Sequence, residues 1–168
     1  MALKRHGVRV PAAPPCFASG TKSSSEIEFK STLRTNLHTG KQDPKMGYSI
    51  VRTIAGFLNT NGGTLMVGVS DDGTPVGIDV DGFESEDKLQ LHLANLIRDR
   101  VGGQYHTYLN IHFAEYEEQR ILAIECNKSS SPGYVKDGQE ERFYIRTGPS
   151  TSELTEYEMQ TYIGRRFS

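Results

Sequence analysis

The sequence predicts a single α+β domain, in which a mixed, mainly antiparallel sheet is flanked by about three helices. Short apolar runs of strand length alternate along the chain with longer stretches of helical spacing. Several strands follow one another through tight turns, and no repeated strand-helix-strand unit is present. The 168 residues are enough for one domain and too few for two of ordinary size.

The first strand is expected at residues 26–30, where Ile27 and Phe29 alternate with polar side chains. This alternation places Glu28 and Lys30 together on an exposed face. Residues 1–24 contain three prolines and no sustained periodicity. We therefore expect a flexible N-terminal arm over residues 1–24 and the folded domain over residues 25–168.

The first helix has clear start and stop signals. Asp43 can cap the helix, and Pro44 suits its first position because proline has no N–H to leave unsatisfied. Apolar residues then form one stripe, comprising Ile50, Val51, Ile54, Phe57 and Leu58. Asn61 and Gly62 tolerate the left-handed conformation that ends helices, so a buried strand is expected at residues 64–69.

The second half of the chain alternates strands and helices. Asp71-Asp72-Gly73 predicts a tight turn into a return strand at residues 74–78. A helix capped by Ser85 is expected to end at Gly102-Gly103, before two antiparallel strands at residues 108–116 and 120–126. A further strand is expected at residues 142–146, and Thr155 with Glu158 predicts a capping box that opens a last helix.

Charge and cysteine content restrict the class of protein. The net charge is −2, yet residues 1–50 carry eight basic and three acidic side chains. This asymmetry is compatible with an anionic partner at one surface, although the overall balance gives no support for strong nonspecific nucleic-acid binding. Cys16 and Cys126 form neither a disulfide framework nor a metal-ligand cluster, and no apolar run reaches membrane length. We expect a cytoplasmic protein with no membrane partner.

Three sequence blocks carry a family resemblance. They are Ile27-Glu28-Phe29-Lys30, residues 54–78 with their Asn-Gly-Gly and Asp-Asp-Gly turns, and Phe143-Tyr144-Ile145-Arg146-Thr147-Gly148. In this order they resemble the Schlafen AlbA-like DNA-binding domain family. The resemblance implies a sheet-and-helix domain that contacts DNA or RNA, in a regulatory or defence-type system.

In the Schlafen branch, the same fold implies a metal-dependent RNA endonuclease with a carboxylate triad. Two triad positions fall on Glu28 and Asp71, and the third falls on Ser23. Two carboxylates hold Mg²⁺ or Mn²⁺ only with additional water or phosphate ligands. In this hypothesis Lys30 stabilises developing phosphate charge. The alternative interpretation is that Glu28 pairs with Lys30 on the strand and that Asp71 serves only the turn.

Candidate phosphate contacts come from two parts of the chain. The polar loop before the first helix and its surroundings supply Lys30, Arg34, Lys41, Lys45 and Arg52. Arg142 and Arg146 are four residues apart and are expected on the outer face of one strand. The alternative is a solvated surface on which these two arginines pair with Glu140, Glu141 or Glu153.

Three functional hypotheses follow. The first is a nucleic-acid-binding module that contacts DNA or RNA mainly through phosphates and needs no cofactor for binding. The second is a divalent-metal-dependent endoribonuclease that uses Glu28, Lys30 and Asp71 with Mg²⁺ or Mn²⁺. The third is an interaction domain that forms a homodimer. Gly62-Gly63 does not predict a nucleotide-phosphate loop, because no Lys-Ser or Lys-Thr follows it.

Overall fold

The computed structural model describes residues 23–168. The predicted N-terminal arm, with Cys16, therefore lies outside the described residues, apart from Ser23 and Ser24. The strands are β1 (Ile27–Lys30), β2 (Thr35–Asn36), β3 (Lys41–Gln42), β4 (Gly63–Val67), β5 (Leu109–Tyr116), β6 (Gln119–Cys126), β7 (Tyr134–Asp137), β8 (Glu140–Thr147) and β9 (Ser150–Glu153). The helices are α1 (Pro44–Asn59), α2 (Glu86–Arg100) and α3 (Glu156–Arg166), with 3₁₀ helices at Ile78–Asp81 and Gly103–Tyr108.

The predicted α+β architecture with a mixed, mainly antiparallel sheet is confirmed. The main sheet has the strand order β1-β4-β6-β5, in which β1 runs parallel to β4 and the other two pairs are antiparallel. A two-stranded ribbon, β2-β3, and a three-stranded sheet, β7-β8-β9, complete the fold. Because β1 is an edge strand, its polar side chains lie at the rim of the main sheet.

Helix α1 begins and ends as its sequence predicts and forms the centre of the core. The Asp43 side chain accepts the Lys45 N–H at 3.0 Å, and Pro44 is the first helical residue. The helix contacts β4 and β6 of the main sheet and all three strands of the β7-β8-β9 sheet. Its last seven residues are all buried. A helix buried all round in this way is stabilised mainly by packing.

The expected return strand at residues 74–78 is wrong. Only Val69 and Pro75 form an isolated bridge, and the chain then enters the 3₁₀ helix Ile78–Asp81. Pro75 has no N–H to continue a ladder, and Gly77 adopts φ 87°, which breaks the extended conformation.

The starts of α2 and α3 agree with the residues predicted from the sequence. Ser85 accepts the Lys88 N–H at the start of α2, and the Thr155 capping box opens α3. Among residues 23–168, no helix is both long and apolar enough to cross a bilayer. Cys126 is a free, buried thiol whose pKa is raised by burial.

Candidate functional site

A cleft of about 310 Å³ lies beside the end of β1, between the β2-β3 ribbon and the first turns of α1. Its lining combines apolar surface with polar side chains and includes one lysine, one histidine and one carboxylate. The lining residues are Lys30, Ser31, Thr32, Thr35, Asn36, Leu37, His38, Met46, Ser49 and Asp71. The cleft therefore brings together two residues that the sequence singled out, Lys30 and Asp71.

One wall of the cleft is fixed by a buried carboxylate, Asp81. Its Oδ2 accepts the Leu33 N–H at 2.7 Å, and its Oδ1 accepts those of Arg34 and Thr35 at 3.0 Å each. Asp81 is only 3% exposed, so these charge-assisted hydrogen bonds are shielded from water. Sequence reasoning missed Asp81, because its donors lie 46 to 48 residues away along the chain.

The ribbon is also tied to α1. Asn36 donates from Nδ2 to Oδ2 of the helix cap Asp43 at 3.2 Å, and the Gly40 N–H donates to the Asn36 carbonyl at 2.8 Å. Gly40 adopts φ 70°, which this turn requires. The polar loop expected before the first helix is thus a hydrogen-bonded hairpin.

Glu28 lies at the rim of the main sheet, with both carboxylate oxygens engaged. Oε1 is 3.1 Å from Lys30 Nζ, and Oε2 is 2.7 Å from Arg146 Nη2. The Glu28 side chain is 15% exposed and that of Lys30 is 25% exposed. The expected shared face of Glu28 and Lys30 is therefore present, and two cations contact the single negative charge of Glu28.

Arg146 is buried, so its expected position on an outer strand face is wrong. Its side chain is 2% exposed. Besides Glu28, its Nη2 donates to the carbonyls of Ser24 at 2.6 Å and Ile27 at 3.1 Å. The guanidinium also lies 5.0 Å from the Phe57 ring centre. Arg146 therefore links its own strand, β8, to β1 of the main sheet. The two strands come close because both β8 and the main sheet pack against α1.

Arg142 is held by three carboxylates. Its nitrogens lie 3.0 Å from Asp137, 2.9 Å from Glu140 and 3.1 Å from Glu153. The charge of Glu153 is the largest of the effects that raise the Arg142 pKa. This arrangement agrees with the alternative interpretation of the sequence, in which Arg142 pairs with Glu140 or Glu153.

A second group of cations lies along α1. Lys45, Ser49 and Arg52 are spaced four and three residues apart and so share one face of the helix. Ser49 lines the cleft. Lys45 lies about one helical turn before Ser49, and Arg52 lies about one turn after it. The Arg52 guanidinium carbon is 6.0 Å from the Tyr144 ring centre, and its Nε is buried with no hydrogen-bond partner.

Three basic residues on the elements that flank the cleft differ from Arg142 and Arg146 in their partners. Lys45 is exposed on α1 and Lys41 is exposed on β3, whose partner residue Asn36 lines the cleft. Within residues 23–168, Lys41, Lys45 and Arg52 have no carboxylate within ion-pair distance. In this respect they differ from Lys30, which lines the cleft and pairs with Glu28.

Arg34 lies on the other side of the loop. Its Nε donates to the Asp81 carbonyl at 2.9 Å, and its guanidinium carbon is 3.7 Å from the Phe83 ring centre. Together with His92 and Lys88 it lines a separate groove of about 440 Å³. Arg34 is thus outside the lining of the cleft.

Glu28, one of the two predicted metal ligands, already pairs with Lys30 and Arg146, so a metal ion at Glu28 would meet two competing cations. The third triad position is the neutral Ser23. In the part of the chain that the structure describes, no three His, Cys, Asp or Glu side chains are grouped as a metal site requires.

Comparisons with known proteins agree with this fold. A family model described as Schlafen, AlbA_2 matches residues 23–155. The crystal structure of the DIP2311 protein from Corynebacterium diphtheriae is similar, with a TM-score of 0.59 and 20% identity over 86% of this chain. This chain covers 24% of that protein's chain.

A solution structure is also similar. It is the N-terminal domain of an ATP-dependent DNA helicase RecG-related protein from Nitrosomonas europaea, with a TM-score of 0.51 and 20% identity over 80% of this chain and 87% of that one. At these identities the likeness is one of fold. No curated protein matches this chain.

Proposed function

This chain belongs to the Schlafen AlbA_2 family, and on that premise we propose that it is a nucleic-acid-binding module whose ligand lies against the cleft. The observation that carries the proposal is the stripe of Lys45, Ser49 and Arg52 on α1. It combines cations that have no ion-pair partner among the described residues with a serine in the cleft lining. The fold shared with a domain of a helicase-related protein is consistent with this class of ligand.

The proposed interaction is mainly electrostatic. Lys30 lines the cleft, while Lys41 lies on the ribbon and Lys45 and Arg52 lie on α1, the two elements that flank the cleft. Cations that contact phosphates release counterions from the nucleic acid, so the affinity falls steeply as the salt concentration rises. Contacts of this kind position the ligand and carry little sequence information. We therefore assign this domain a weakly sequence-selective, salt-dependent affinity.

Fluorescence anisotropy with labelled oligonucleotides at about 50 mM salt tests the proposal. We expect micromolar binding that weakens with salt. The double variant Lys45→Gln/Arg52→Gln is expected to bind about tenfold or more weakly and to reduce the salt slope by about two.

Lys128→Gln is the matched control. Lys128 is exposed and lies just after β6. The end of β6 pairs with Gly63 at the start of β4, whereas Lys30 pairs with Val67 at the end of β4. Lys128 is therefore at the opposite end of the main sheet from Lys30. This control should bind like the unmodified chain. Absence of binding, or an equal loss in the control and the double variant, would contradict the proposal.

Two other hypotheses stay predictions. Manganese-dependent cleavage of RNA that is lost in Asp71→Asn would support an endonuclease, and Asp71 is a suitable target because it is exposed in a turn. Light scattering would detect the homodimer. Neither hypothesis explains why Lys41, Lys45 and Arg52 have no ion-pair partner among residues 23–168, whereas phosphate binding does.

A further inference from the structure

We propose, resting on the nucleic-acid-binding function above, that the cleft holds one unpaired nucleotide, so that the domain selects single-stranded or looped segments over duplex. Three features of the cleft support a single nucleotide: its size, the chemistry of its two sides and the way its wall is fixed.

The size of the cleft favours one nucleotide. Its volume is about 310 Å³, at the lower end of the roughly 300–1,000 Å³ found for small-molecule sites. A base pair has two bases and two backbones and is too large for this space. In a duplex, moreover, the bases are stacked on one another, so only phosphates and groove edges are presented to a protein.

The lining has an apolar side and a polar side. Leu37, in the ribbon turn, and Met46, in the first turn of α1, supply the apolar contacts. Lys30, His38 and Ser49 supply charge and hydrogen bonds. An unpaired nucleotide has the same division, because the faces of its base are apolar while its sugar and phosphate are polar.

Among these residues, Leu37 gives the strongest support for a contact with a base. It is 51% exposed, although it stands in a ribbon of otherwise polar residues. A single exposed leucine is common on protein surfaces, but this one borders a cleft that Lys30 and His38 also line. We assign Leu37 the role of packing against the face of the bound base.

The wall of the cleft is fixed before any ligand arrives. The three N–H bonds to the buried Asp81 hold the loop between β1 and β2, and the Asn36–Asp43 bond holds the ribbon against α1. A preformed site loses less conformational freedom on binding, which increases affinity for the ligand that fits it.

The test compares one labelled strand, free and in a perfect duplex, as RNA and as DNA. We expect at least one of the two single strands to bind about tenfold more tightly than its duplex. Leu37→Ala should weaken single-strand binding about five- to tenfold, because it removes apolar side-chain surface that the bound base would cover. Its duplex binding should be unchanged, since duplex contacts only the flanking cations.

Leu91→Ala is the matched control for Leu37→Ala, because Leu91 is 55% exposed on α2 and outside the cleft. Thermal unfolding of both variants checks that each is folded. Equal affinity for strand and duplex, with both lowered by Lys45→Gln, would overturn the single-nucleotide proposal and leave the proposed function intact. A Leu37→Ala variant that binds single strands normally would also overturn it. No binding of any oligonucleotide would remove both proposals.

Discussion

The cleft and the β7-β8-β9 sheet both carry basic residues, but they use them in opposite ways. On β8, Arg142 is surrounded by three carboxylates, and Arg146 is buried against Glu28 and two carbonyls. Beside the cleft, Lys45 and Arg52 have no such partner among residues 23–168. The difference teaches that a cation's partners in the fold, more than its place in a basic cluster, decide whether it can bind a ligand.

The largest expected effect is on stability, through Arg146. Arg146→Met should lower the free energy of unfolding by about 3 kcal/mol, because it removes the guanidinium from two backbone carbonyls and from one oxygen of the mostly buried Glu28, whose other oxygen still pairs with Lys30. Urea denaturation followed by circular dichroism measures this loss.

Arg142→Met provides the comparison on the same strand. The Arg142 side chain is 34% exposed, so its ion pairs are screened by water, and we expect a loss of about 1 kcal/mol or less. If the two variants were equally stable, the structural role assigned to Arg146 would be untenable.

The next effect concerns the wall of the cleft. In Asp81→Asn, one oxygen can still accept hydrogen bonds, but the amide NH₂ faces a backbone N–H donor. We expect a loss of about 1–3 kcal/mol in the free energy of unfolding. Hydrogen exchange at the Leu33, Arg34 and Thr35 amides should accelerate, and unchanged exchange would show that Asp81 does not hold this loop.

The smallest effect is expected at the turn after β4. Hydrogen bonds from the Ser70 hydroxyl, and next from the Thr74 N–H, lower the Asp72 pKa from 3.8 to about 2. Because the folded-state pKa is depressed, the ionised carboxylate stabilises the fold above the ordinary pKa, and this contribution disappears as the pH falls toward about 2.

Asp72→Asn should therefore be slightly less stable than the unmodified chain at neutral pH and equally stable below about pH 2. Urea midpoints across this range measure the difference. A gap that persisted at low pH would mean that Asp72 acts through something other than its charge. Asp72 would then resemble an accessible site residue more than a self-contained turn residue.

Much of the fold could be predicted because the signals are local. The Asp43-Pro44 start of α1, the alternation of β1 and the Thr155 capping box each depend on neighbouring residues, and each is confirmed. Strands β7 and β9 were missed. Each has only four residues, and β9 has no apolar residue to set an alternating pattern.

The site was harder to predict because it depends on contacts between distant segments. Arg146 and Glu28 are 118 residues apart, and the Asp81 carboxylate accepts hydrogen bonds from residues at least 46 positions before it. Residue type and spacing placed Lys30, Lys45 and Arg52 among the candidates. They could not distinguish these cations from Arg146, whose burial depends on how β8 packs against α1.

The most direct test of the central claim is a salt titration of oligonucleotide binding to Arg52→Gln and Arg142→Gln. The two arginines are matched in type, and both lie near Tyr144 on facing elements. We predict that Arg52→Gln weakens binding and makes the salt slope shallower by about one, while Arg142→Gln changes neither. A shallower slope for Arg142→Gln, with Arg52→Gln unaffected, would contradict the account.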